Sequence, residues 1–239
     1  MRQQYGDVEV TGELEQVLND EEVEGVVLAV PAVGHFGAAR QVLEADKHVY
    51  VEKPLTLSAA EAEELVALAD QQGKVLMVGH LMVYHPAVQM LKGMVERGEL
   101  GEIYYLYAQR VNLGIVRKDE NALWSLAPHD ISILLHLLDQ EPDSVSARGE
   151  CYLQEGIEDV VFASLHFADG KMAQVQVSWL DPHKVRKLTV VGSRKMAVFD
   201  DVESAEKVRV YDKAAEKAEY ESYGDAITLR LGDVVIPHV

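Results

Sequence analysis

Apolar residues recur along this chain in two rhythms, and the change falls near Gly101. Ahead of it, Val26-Val27-Leu28-Ala29-Val30, His48-Val49-Tyr50-Val51 and Val75-Leu76-Met77-Val78 are unbroken apolar runs. Such runs suit parallel strands covered on both faces. Helical periods separate them. A short helix with Leu14, Val17 and Leu18 comes first, and a second is expected between Gly34 and Ala45. A third follows Ser58, whose spacing to Glu61 fits a capping box. It carries Ala62, Leu65, Val66 and Ala69 on one face and stops at Gly73. A fourth starts at Pro86, bears Val88, Leu91 and Val95, and stops at Gly98. Strands alternating with helices predict a doubly wound parallel sheet.

Beyond Gly101 the period becomes two. Ala173, Val175, Val177 and Trp179 alternate with Gln174, Gln176 and Ser178, the pattern of a strand with one solvated or partner-covered face. Asp169-Gly170 supplies a tight hairpin turn joining it to a strand within 158–167. Further strands are expected at 103–109, 186–191, 196–199, 207–211, 227–231 and 234–236, with one helix over 128–138. The run between Asp200 and Lys217 reads as solvated strand and loop. The fold class is therefore α/β joined to α+β: a partial Rossmann doubly wound parallel sheet, then a mostly antiparallel open β-sheet. The domains are set at 1–85, for a dinucleotide, and 86–239, for substrate and oligomerisation.

Composition narrows the partners. The net charge of −18, from 22 basic and 40 acidic residues, opposes nucleic acid, which is held largely by Lys and Arg. No apolar run approaches the roughly 20 residues that span a bilayer, so no membrane partner is expected. The stretch Met1 to Asp7 has no apolar signal core, and the single Cys151 suits a reducing compartment, so the cytoplasm is expected. A dinucleotide fold normally opens with G-x-G-x-x-G between a strand and a helix. The sequence holds no such loop: Gly34 and Gly37 have part of its spacing, but no glycine stands two residues before Gly34. The first βαβ unit is thus expected to be missing from this chain, which leaves an open sheet edge and an exposed helix-packing face near the N-terminus, open to aggregation or pairing.

Two segments carry chemistry. Lys53, in Glu52-Lys53-Pro54, stands just past a strand's carboxyl end, where doubly wound sheets bind ligands. Pro54 disfavours the α region for Lys53, which directs its amine. In a partly dry cleft that amine can take or give a hydroxyl proton; the plainer reading is a solvated lysine paired with Glu52. In Trp124-Ser125-Leu126-Ala127-Pro128-His129-Asp130, Pro128 suits a first helical position. His129 would then lie in the first turn and stay neutral at the helix's positive end; alternatively the preceding loop simply satisfies it. Arg110, Arg117 and Lys118 could meet a diphosphate or be surface charges. Trp124 could stack on a ligand or fill the core. His80, His85, His129 and Asp130 lack familiar metal-ligand spacing, so no metal is expected. No Gly-x-Ser-x-Gly elbow is present.

The stretches Ala29-Val30-Pro31, His35, Ala45-Asp46-Lys47-His48-Val49, Glu52-Lys53-Pro54-Leu55, Gly79-His80 and Gly98-Glu99-Leu100-Gly101-Glu102-Ile103 resemble the Gfo/Idh/MocA family. The resemblance implies an enzyme using NAD or NADP to move hydride to or from the hydroxyl-bearing carbon of a sugar or nucleotide sugar. It places Lys53 and His129 as catalytic residues, and Val30, Pro31, His35, Glu52, Lys53 and Pro54 in the cofactor cleft. Ser125 stands where the family has an acid, and Ser132 where Asp is common. Tyr84-His85-Pro86, Arg110-Val111-Asn112 and Trp124 to His129 are similar to a nucleotide-sugar branch, although Val83 replaces a frequent arginine. That likeness implies substrate contacts at Tyr84, Arg110, Asn112, Trp124, Ser125 and Asp130. Family members usually continue into a closing helix, so Val239 is not expected to be a natural end. Without a phosphate loop, activity of this chain is expected to be impaired. The rival expectation is a non-catalytic fragment or self-association module with a vestigial nucleotide site; either form is expected to be a homo-oligomer through its C-terminal sheet.

Overall fold

The computed structural model describes residues 8–114, 116–118, 120–217 and 227–239. The stretch Met1 to Asp7, read above for a signal core, lies outside them. The chain divides into two compact units, Met1–Gly79 and His80–Val239.

The first unit runs α1 (Leu14–Leu18), β1 (Gly25–Leu28), a 3-10 turn (Ala32–Gly34), α2 (His35–Glu44), β2 (His48–Val51), α3 (Ala59–Gln72) and β3 (Leu76–Val78). The strands pair in parallel in the order β1-β2-β3. In register, Val26, Val49 and Leu76 form one row and Val27, Tyr50 and Met77 the next. Because neighbouring side chains point to opposite faces, only alternate rows reach the core of Val42, Leu43, Leu65 and Ala69 supplied by α2 and α3. The other face is bare: Val27 is 71% exposed and Met77 39%. The apolar runs suit cover on both faces, yet this face is open, as the expected exposed helix-packing face has it.

Two details of α3 also differ from expectation. Ser58 is its N-cap but makes no side-chain cap bond; instead Thr56 Oγ1 donates to the Ser58 carbonyl at 2.6 Å. Val66 faces solvent, since Leu65, Leu68 and Ala69 occupy the packed stripe. Gly73 ends the helix in the left-handed region, at φ 63°.

The second unit opens with a 3-10 turn (Leu81–Tyr84) and α4 (Pro86–Glu96). It continues through β4 (Ile103–Val111), α5 (Ala122–Leu138), β5 (Ser144–Glu150), β6 (Val160–His166), β7 (Met172–Ser178) and β8 (Val185–Gly192). Then follow β9 (Met196–Asp200), β10 (Val208–Tyr211), β11 (Ala214–Lys217), β12 (Ile227–Arg230) and β13 (Val234–Val235). Eight strands form one sheet in the order β13-β10-β9-β8-β4-β7-β6-β5. Every pair is antiparallel except β4 with β7. β11 and β12 make a separate antiparallel pair. Asp169-Gly170 turns the chain between β6 and β7, with Gly170 at φ 84°. One face of the large sheet is buried through Leu106 of β4, Ala163 and Leu165 of β6, Val175 of β7 and Leu188 of β8. These share a core with Leu91 of α4 and with Ile133, Leu134 and Leu137 of α5.

The helix expected from Pro128 begins earlier, at Ala122. Asn121 is its N-cap, in extended backbone, and its Oδ1 accepts the Trp124 N–H at 3.1 Å. Pro128 thus lies inside α5, and His129 stands about two turns from the helix start. The positive end of a helix acts within about one turn, so the expected reason for a neutral His129 is withdrawn. β5 has no counterpart among the expected strands, and β11 forms within the stretch read as solvated strand and loop.

Candidate functional site

In the first unit the predicted residues gather at the carboxyl ends of β1 and β2. Glu52 continues the ladder, its N–H donating to the Leu28 carbonyl at 3.0 Å. Lys53 follows, half-buried, and then Pro54, buried. Val30 and Pro31 are exposed on the neighbouring loop. His35, at the start of α2, is 1% exposed. Its Nδ1 lies 2.6 Å from the Pro54 carbonyl and its Nε2 2.8 Å from that of Val30. His35 therefore sits beneath these loops rather than on an open helix face. Gly79, after β3, is closely approached: a methyl group there would lie 2.6 Å from the Tyr50 hydroxyl and 3.0 Å from Glu52 Oε2. The edge thus offers an exposed proline, an aliphatic side chain and an amine. That set fits the nicotinamide end of a dinucleotide, whereas the glycine loop that cradles a pyrophosphate is not in the sequence.

In the second unit, Ser125 and His129 are four residues apart on α5 and share a face. Ser132 Oγ donates to the His129 carbonyl at 2.9 Å. Asp130 points elsewhere, into a bidentate pair with Arg110: Nε to Oδ2 is 2.6 Å and Nη2 to Oδ1 is 3.1 Å. Both side chains are buried, at 6% and 4% exposure. Burial pushes the Asp130 carboxyl up, while the charge and hydrogen bonds of Arg110 pull it back. Arg110 is thus neither of the two things expected of it, a surface charge or an open phosphate ligand. Tyr84 and Trp124 stand exposed, and Asn112 anchors the end of β4 by its N–H to the Ser178 carbonyl at 3.1 Å. Trp124 is accordingly not a core residue. Arg117 pairs with Glu120 at 2.9 Å.

Sequence reading missed the charges around Asp130. Arg186 is the cross-strand partner of Arg110, and Asp201 lies 3.4 Å from Arg186 Nη1. Two arginines opposite one another in adjacent strands require nearby acids, but their register is not visible before the strands pair. His85 caps α4, accepting the Ala87 N–H at Nδ1, and its ring packs on Phe199 at 5.1 Å. Burial lowers the His80 imidazole from its ordinary range. Among the described residues no group of three or more His, Cys, Asp or Glu could hold a metal ion, and no helix is long and apolar enough to cross a membrane.

Comparison with known proteins agrees with this arrangement. Residues 2–80 match the model of an oxidoreductase family with an NAD-binding Rossmann fold, and residues 88–198 that of the Gfo/Idh/MocA C-terminal domain. A UDP-N-acetylglucosamine 3-dehydrogenase of Acidithiobacillus ferrooxidans is 28% identical over 195 residues, covering 81% of this chain and 60% of the relative. The scyllo-inositol 2-dehydrogenase (NADP(+)) IolW of Bacillus subtilis is 30% identical over 184 residues, covering 73% and 51%. The crystal structure of GenD2 from gentamicin A biosynthesis, in complex with NAD, superposes with a TM-score of 0.79 at 26% identity, covering 100% of this chain and 69% of that one. The chain thus spans between half and two thirds of the length of these curated relatives. With both domain models matched in order along one chain, the protein belongs to the Gfo/Idh/MocA oxidoreductase family.

Proposed function

We propose that this chain serves an NAD(P)-dependent oxidoreductase acting on a sugar or nucleotide sugar. The observation that carries the reading is Lys53, half-buried directly past the carboxyl end of the central strand of a parallel sheet. When bound, the nicotinamide exchanges hydride with the hydroxyl-bearing carbon. Val30 and Pro31 present the surface for the ring, with Glu52 and Pro54 fixing the segment around Lys53. By the motif likeness, the Lys53 amine and the His129 imidazole are assigned to the hydroxyl proton. Tyr84, Asn112, Trp124 and Ser125 contact the sugar or its nucleotide, and the Arg110–Asp130 pair supports α5 from below. The nucleotide-sugar class rests on the motif likeness and on the UDP-sugar relative. The cytoplasm is the proposed compartment, and the proposed functional boundary is 85/86, at the N-cap of α4.

Titration calorimetry with NAD and NADP, followed by nicotinamide absorbance with UDP-sugars and inositols, tests this reading. Weak cofactor binding is expected, with hydride transfer abolished in Lys53→Met and binding retained. Absence of any heat at saturating concentrations of both cofactors would remove the proposal.

The bare face of the eight-stranded sheet supports a further reading, self-association into a homo-oligomer. Tyr105, Tyr107, Phe162 and Met172 are exposed there, with Gln109 Nε2 donating to Gln176 Oε1 at 3.0 Å.

A further inference from the structure

We propose that His35 is a positioning residue for Lys53: its imidazole straps the segment after β2 to the loop after β1, and so sets where the amine sits. The inference rests on the reading of Lys53 as the proton-exchanging group.

Backbone pairing between the two strands reaches Glu52, whose N–H meets the Leu28 carbonyl. Past that point the chains part, one toward Pro31 and the other toward Pro54. His35 stands at this fork, with ring nitrogens 2.6 Å from the Pro54 carbonyl and 2.8 Å from the Val30 carbonyl. A polar ring at 1% exposure is disfavoured unless its nitrogens are satisfied, and a phenyl ring would fill similar space. What the imidazole adds is direction. Both acceptors are main-chain carbonyls, so the ring fixes peptide planes rather than mobile side chains. The Pro54 carbonyl lies one residue past Lys53, and the pyrrolidine ring already limits the rotation between them. Tethering that carbonyl therefore limits the freedom of the Lys53 backbone. A ring nitrogen tethers a carbonyl only when it carries the proton; of the two contacts the shorter, from Nδ1 to the Pro54 carbonyl, is the one that bears on Lys53.

The test compares His35→Asn, His35→Gln and His35→Phe in the full chain. An asparagine amide can take the place of Nδ1 and keep the donor toward Pro54; a glutamine amide reaches toward the Nε2 position and Val30. The readout is the acetylation rate of Lys53 by an activated acetyl ester, followed by peptide mass spectrometry. Lys74, paired with Asp46 at the other end of the sheet, is the internal reference. The expected result is a rate near that of the parent protein in His35→Asn and a change of at least about threefold in His35→Gln and His35→Phe, with Lys74 unchanged. Equal Lys53 rates in the Asn and Gln variants overturn the proposal, as does a parallel change at Lys74. If His35→Phe does not fold, the Asn and Gln pair decides. Because the readout is not turnover, loss of the oxidoreductase reading through absent cofactor binding is a separate result.

Discussion

Arg110 and Asp130 illustrate how a side chain's role depends on what lies over it. On a strand end, Arg110 has the chemistry to grip a phosphate; beneath α5 it meets a carboxylate with both being almost fully buried. Removing one partner leaves a buried charge without compensation, which typically destabilises by about 3–5 kcal/mol. Arg110→Ala and Asp130→Ala are each expected to lose stability on that scale in urea unfolding. The double replacement Arg110→Met with Asp130→Leu is expected to retain most of it, because apolar pairs of similar volume often replace buried ion pairs without loss. A double variant as unstable as the singles would contradict this account. The pairing was not legible in the sequence, since the two residues meet only after β4 packs under α5. Lys53 was more legible because its position depends on local facts: an apolar run that ends, and a proline that follows.

At the scale of elements, strong punctuation is readable and weak punctuation is not. Pro86 and Gly98 bracket α4, and Asp169-Gly170 marks the β6–β7 hairpin. In α5 the proline at 128 draws the eye before the cap at Asn121, although Asn121 makes the better start: it accepts the Trp124 N–H and donates to Glu158 Oε2 at 2.7 Å. Asn121→Ala is expected to lower stability by about 1 kcal/mol, and Asn121→Ser to restore part of that, as measured by thermal unfolding. An unchanged midpoint for Asn121→Ala would mean the helix does not depend on this cap. β5 shows the opposite limit. Ser144–Glu150 alternates only weakly, with Val145, Ala147 and Gly149 between polar residues, and is mostly exposed, so its strand form is fixed by pairing with β6, an interaction that so faint a pattern does not announce.

At the scale of the molecule, the change of period near residue 101 announces two kinds of sheet, and both are present. Period could not reveal which faces would be covered, because that depends on where helices settle. The eight-stranded sheet has aromatic residues on the face away from α4 and α5, and Tyr105 and Tyr107 stack at 6.3 Å between centroids. If this face joins copies of the chain, light scattering should give a single defined oligomer. Tyr107→Arg should then shift it toward monomer with the secondary structure retained by circular dichroism, and should remove any dependence of the unfolding midpoint on protein concentration; an unchanged mass would place the contact elsewhere.

The bare side of the small parallel sheet has a practical corollary. Val27 and Met77 meet water, and shading such groups is favourable by about 25 cal/mol for each Å² of apolar area. Detergent monomers, fluorescent apolar dyes and other polypeptides can all provide that shade. Solubility at high concentration, more than the integrity of either unit, is therefore the property that this wall of hydrocarbon will govern.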